Sequence, residues 1–129
     1  MKVKAGIISN GLQTIIDISE KTMPIKLAAK LLRLADELTK ENTLIEKQRM
    51  DIIEKYGDKD EQGELNIKDG NVTFKNKENA EQVQKELNEL SELEIEIIDR
   101  GITEEELIDS GLELTITQFA VLKNFISKE

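Results

Sequence analysis

The sequence predicts a mainly helical α+β fold, and three observations carry that expectation. One stretch of the 129 residues, from about 23 to 56, runs without an interior Gly or Pro and repeats apolar residues every seven positions. An Asp-Gly pair at 69–70 lies between two alternating arms, the pattern of a two-residue β-hairpin. The remaining apolar residues fall in short segments of helical or alternating period. The expected parts are a long helix (23–56), a shorter antiparallel helix (78–91) joined to it through a hairpin (64–75), a small sheet from 3–8 and 93–98, and short C-terminal helices. A chain of this length fits one domain, 1–129.

In chain order, Val3 to Ile8 is β-prone and reads as a strand. Asn10 is placed to cap a short helix with Leu12, Ile15, Ile16 and Ser19 on one face. Thr22 then suits the N-cap of the long helix, with Pro24 in its first turn, where a missing N–H costs nothing. The helix spans about 33 residues, or ~50 Å, and Gly57 stands where a left-handed glycine would end it. Its seam is Leu31, Leu38, Ile45 and Ile52, with Ala28, Ala35, Asn42, Arg49 and Tyr56 interleaved. Such a seam predicts a partner helix alongside, either from the same chain or from a second copy, with Asn42 setting the register in the latter case.

Around Asp69-Gly70, Ile67 is expected opposite Val72 and Leu65 opposite Phe74, all four on one face that a helix or another protomer must cover. Asn76 or Asn79 starts the next helix, whose inner face is Ala80, Val83, Leu87 and Leu90. This helix suits the second half of the long one and leaves the first half to the terminal segments. Leu93 to Ile97 alternates like a half-buried strand and could pair with Val3–Ile8. Thr103 with Glu106 forms a capping-box pattern for a brief helix around Leu107 and Ile108. Thr115 or Thr117 caps a last helix with Phe119, Leu122, Phe125 and Ile126 inward.

The chain contains no His and no Cys, so Ser–His, Cys–His and thiolate-zinc arrangements are excluded. No glycine-rich phosphate loop occurs, and the paired carboxylates match a solvated face, so no enzyme and no cofactor are expected. The strongest metal pattern is Asp58, Asp60, Gln62 and Asp69, which imitates a calcium loop. Gln62 departs from the usual Asp or Asn, Asp69 is too short for a bidentate Glu, and a hairpin follows. A solvated acidic turn therefore fits better. No apolar run is long enough to span a membrane, and the N-terminus lacks a signal-peptide core.

The formal charge is −9, and residues 78–109 carry twelve acidic against two basic side chains. That field disfavours nucleic acid and anionic membranes and suits a basic protein surface. Lys26, Lys30, Arg33 and Lys40 along the long helix are placed to offset it. The expected interaction residues are the seam positions Leu31, Leu38, Ile45 and Ile52 and the acidic Glu86, Glu89, Glu94 and Glu96.

The opening Met23-Pro24-Ile25-Lys26-Leu27-Ala28, the run Ile53-Glu54-Lys55-Tyr56-Gly57-Asp58-Lys59-Asp60, the acidic hairpin and Lys85-Glu86-Leu87-Asn88-Glu89-Leu90 form a recognisable order. Over about 20–126 the chain resembles a family of small proteins of unknown function encoded by phages and prophages of Gram-positive bacteria. The resemblance implies a phage origin, acting in the host cytoplasm or with the virion, and supplies no functional residues. The expected role is non-enzymatic protein–protein interaction: a structural, adaptor or assembly component, self-associating. The competing expectation is a host-directed inhibitor, an anti-defence protein or acidic nucleic-acid mimic.

Overall fold

The computed structural model describes residues 1–74 and 76–127; Lys75, the last residue of the expected hairpin, lies outside the described residues. The architecture is set by one long helix, α2 (Ile25–Tyr56), along which two shorter helices lie in tandem. These are α1 (Ala5–Ile18), against its first half, and α3 (Lys77–Glu92), against its second. The two short helices meet near Gly6, where an added Cβ would stand 3.3 Å from Ser91 Cβ. Strands β1 (Lys2–Lys4) and β4 (Glu94–Glu96) pair antiparallel beside that joint. A two-stranded ribbon, β2 (Ile67–Lys68) with β3 (Asn71–Val72), sits beyond the far end of α2. Helices α4 (Glu104–Asp109) and α5 (Ile116–Leu122), with a 3-10 turn over Lys123–Phe125, return to the first half.

The N-terminal strand is shorter than the sequence suggests, and helix replaces most of it. Ala5, Ile8, Gly11, Ile15 and Ile18 are buried at spacings of three and four, a helical stripe that overrides the β-prone composition of Val3–Ile8. Asn10 therefore lies inside α1 and caps nothing. The cap of α2 also differs: Pro24 is the N-cap residue and Thr22 precedes it without capping. Gly57 ends α2 in extended backbone (φ −66°), not in the left-handed region. A glycine is needed there for space, because a Cβ would lie 2.5 Å from Leu65 and 3.0 Å from Val72 as the hairpin folds over the helix end.

The turn itself follows from its residues. Asp69 and Gly70 both have positive φ, 54° and 80°, as a two-residue hairpin turn of this kind requires. Ile67 opposes Val72, but Leu65 does not oppose Phe74. Beyond Asn66 and Thr73 the arms separate and Asp58 inserts between them. Its N–H donates to Thr73 O and its carbonyl accepts from Asn66 N, each at 2.8 Å. Leu65 thus bridges to Lys59, and Phe74 to Gly57. The expected apolar face is only partly covered, with Ile67 exposed.

The described helix starts of α3, α4 and α5 are capped by side chains. Asn76, Thr103 and Thr115 accept from Asn79 N, Glu106 N and Gln118 N, and Thr115 and Gln118 complete a reciprocal capping box. Leu107 is buried as expected, whereas Ile108 points to solvent.

The core belongs to the first half of α2. Leu27, Leu31, Leu34 and Leu38 are buried there with Ile8, Ile15 and Ile18 of α1, Ile97, Leu107, Leu122 and Phe125. Residues far apart in sequence lock it: Phe125 fills the notch at Gly11, where a Cβ would meet its ring at 2.5 Å. Glu37 adds a polar tie, accepting from Arg100 Nη2 at 3.0 Å and from Ile98 N at 3.1 Å. Lys30 does the same for α4 through Glu106 at 3.1 Å.

The Gly11 notch yields a test. Gly11→Ala should destabilise by about 1–3 kcal/mol through overpacking, and Phe125→Ala by about 3–5 kcal/mol through the cavity it leaves. In the double variant the added methyl has no ring to strike, so the combined loss, read by calorimetry, should be smaller than the sum.

Candidate protein-docking surfaces

The eight expected interaction residues separate into three environments. Leu31 and Leu38 are 4% and 0% exposed and packed in the protein's own core; Leu38 is out of a partner's reach, whereas Leu31 also lines the α1–α2 cleft described below. Helix α1 is the alongside helix that their repeat anticipated. Ile45 and Ile52 are half-buried: α3 covers one side of the second half of α2, and the start of α1 reaches only as far as Ile45. Asn42 and Arg49 interrupt the seam where α1 gives way to α3, and they line a cavity of about 220 Å³ with Gly6, Ile45, Leu87 and Ser91.

Glu94 and Glu96 sit on the outer face of the small sheet, paired in register with Lys4 and Lys2. They and Glu92 are tied to cations from the start of the chain. Glu92 meets Lys4 Nζ at 2.6 Å, Glu94 meets Lys2 Nζ at 3.9 Å and Glu96 meets the Met1 amino group at 3.4 Å. These carboxylates hold the sheet together and remain well exposed, a screened arrangement of modest energy. The neighbouring Glu92 holds the Lys4 ammonium above its ordinary pKa, first by hydrogen bonding and then by charge.

Glu86 and Glu89 belong with Ile52. Between the outer half of α2 and α3 runs a groove of about 450 Å³ whose lining includes Ile52, Leu90 and Leu93, with Asp51, Glu86 and Glu89 among them. Beside it, Lys55 lies 3.9 Å from Glu86 and 4.9 Å from the centre of the Tyr56 ring. The Tyr56 hydroxyl above all holds the Glu86 carboxyl below its ordinary range; desolvation opposes it, and the Gln82 amide and the charges of Lys55 and Lys85 add to the lowering.

A second surface escaped the sequence reading. Where α1 ends and α2 begins, Ile15, Ile16, Met23, Ala28, Leu32 and Ala35 enclose an apolar cleft of about 290 Å³. Ile16 and Leu32 stand out from it at 53% and 64% exposure, and Ile25 nearby reaches 87%. The signal was present: Ile25 and Leu32, seven residues apart, extend the seam positions Ala28 and Ala35 into a second apolar line on α2.

The calcium-like loop is not assembled as a ligand set. Asp60 Oδ1 accepts from Gln62 N and Glu64 N, Asp58 Oδ2 accepts from Asn66 Nδ2, and Asp69 turns the hairpin. Among the described residues no three Asp or Glu side chains gather as metal ligands, and no helix is long and apolar enough to cross a membrane.

Comparison with protein-family models, curated proteins and solved structures returns no match.

Acid titration of Glu86 is predictable in sign. Its pKa is lowered from 4.5 in the folded protein, so the stabilisation is fully present above about pH 4.5 and fades as pH falls through the folded value. Asp99, lowered by the Gly101 N–H and the Ser127 hydroxyl, acts in the same direction. The melting temperature of the wild type should fall more steeply from about pH 5 to about pH 3 than that of Glu86→Gln. Parallel curves would detach Glu86 from the acid transition.

Proposed function

We propose that this chain is a non-enzymatic protein that works by binding protein surfaces, a second copy of itself first of all. The observation that carries the reading is the cleft between α1 and α2. Its walls raise two large apolar side chains, Ile16 and Leu32, beside a hollow floored by Ala28 and Ala35. A projection next to a depression on one face is self-complementary under a two-fold axis, each Leu32 filling the other copy's hollow. Exposed apolar clusters of this kind mark contact sites on soluble proteins. The absence of His and Cys from the sequence supports the non-enzymatic part.

Within the phage setting that the sequence resemblance implies, such a protein serves as a structural, adaptor or assembly component. The host-directed inhibitor is the second reading, and it draws on the acidic 78–109 stretch. Its decoy form is the weaker one, because Glu86, Glu92, Glu94 and Glu106 there are matched by Lys55, Lys4, Lys2 and Lys30.

Light scattering should give the mass of a dimer for the wild type and of a monomer for Leu32→Glu, with the helical circular dichroism unchanged because Leu32 is 64% exposed. Leu38→Asp, by contrast, buries a charge at a site that is 0% exposed and should abolish cooperative unfolding. A wild type that is monomeric at high concentration overturns the self-association.

A further inference from the structure

The groove on the outer half of α2 is chemically unlike the cleft, and it specifies a different occupant. Its floor is Ile52, Leu90 and Leu93, the last 51% exposed. Leu44, 57% exposed, continues the same wall of α2 at the i, i+4, i+7 spacing that carries Gln48 and Asp51. Glu86 is matched by Lys55, but among the described residues neither Asp51 nor Glu89 has an ion-pair partner. The groove is therefore an apolar floor between two walls that each carry an unmatched negative charge.

We propose that this groove receives an amphipathic helix of a partner protein that presents apolar residues on one face and Lys or Arg on its flanks. The charge pattern selects the occupant. An acidic helix or a nucleic acid would be repelled by Asp51 and Glu89, and an uncharged apolar helix would leave both carboxylates beside it unanswered. The length agrees: the α3 side of the groove runs from Glu86 to Leu93, about two helical turns, or ~10 Å. That accommodates anchors at i, i+4 and i+7, as in helix-in-groove recognition. The α1–α2 cleft lacks this rim and lies on the other half of α2, so the two surfaces can be occupied together. This inference rests on the protein being a protein-binding protein, not on its self-association.

The test uses the full chain and a fluorescent synthetic helix of about 16 residues, with Leu on one face and Lys on its flanks, against a scrambled peptide of the same composition. The ordered peptide should bind at least about tenfold tighter than the scrambled one. Asp51→Lys and Glu89→Lys, both at exposed positions, should each weaken it about tenfold, and raising the salt from about 50 to about 500 mM should weaken it further. Leu93→Ser should also weaken it, whereas Leu32→Glu should bind like the wild type. Equal binding of the scrambled peptide, or indifference to the charge reversals, overturns the proposal. So does a change of mass in Asp51→Lys, which would make a second copy the occupant, and so does loss of binding in Leu32→Glu.

Discussion

Everything in this fold answers to a mismatch of lengths. A helix of 32 residues extends ~48 Å, while its companions of 14 and 16 residues reach only ~21 and ~24 Å. Neither can sheathe it alone, so they lie end to end along it. The junction falls opposite Asn42 and Arg49, the positions where the seam of α2 turns polar. The polar residues are thus explained by geometry: they face the place where one covering helix stops and the next begins. The same mismatch leaves the two halves of α2 with different surroundings, a filled core on one side of Asn42 and a single covering helix on the other.

Charge distribution follows the same division. The acidic excess of 78–109 looks like one field in the sequence, yet part of it is paired within the chain at its surface. Glu92 and Glu94 meet Lys4 and Lys2 of the first strand, Glu106 meets Lys30 of α2, and Glu86 meets Lys55. Arg100, one of the two cations in that stretch, is turned inward to Glu37. What is left outward is divided between Glu104, Glu105 and Asp109 on α4 and Glu89 beside the Ile52–Leu93 floor. Polar ties and uncovered apolar surface are complementary results of one arrangement.

The parts legible in the sequence are those decided by neighbouring residues. The uninterrupted run before Gly57 makes α2, Asp69-Gly70 makes the turn, and Asn76, Thr103 and Thr115 cap their helices because a side-chain oxygen three positions upstream meets an amide. The parts not legible depend on what lies across space. Val3–Ile8 satisfies both a strand and a helical stripe, and only burial against α2 favours the helix. Leu65 loses its expected partner because Asp58 intrudes, an event no local pattern encodes. The surfaces show the same divide. Ile52, Glu86 and Glu89 are individually recognisable and the antiparallel placement of α3 is expected, but which side chains meet in one groove depends on the rotation of α3 about its axis. The Leu32 line was hidden behind the stronger heptad.

The joint between α1 and α3 has a consequence for how the molecule breathes. Amides of one continuous helix ordinarily share their protection from solvent exchange, yet here the residues before Asn42 are anchored by fully buried leucines and those after it by none. The helix therefore belongs to two cooperative units at once. Its outer turns, with α3 and the hairpin, are then free to open and reclose while the inner turns stay shut, so protection along this single rod should step down past Asn42.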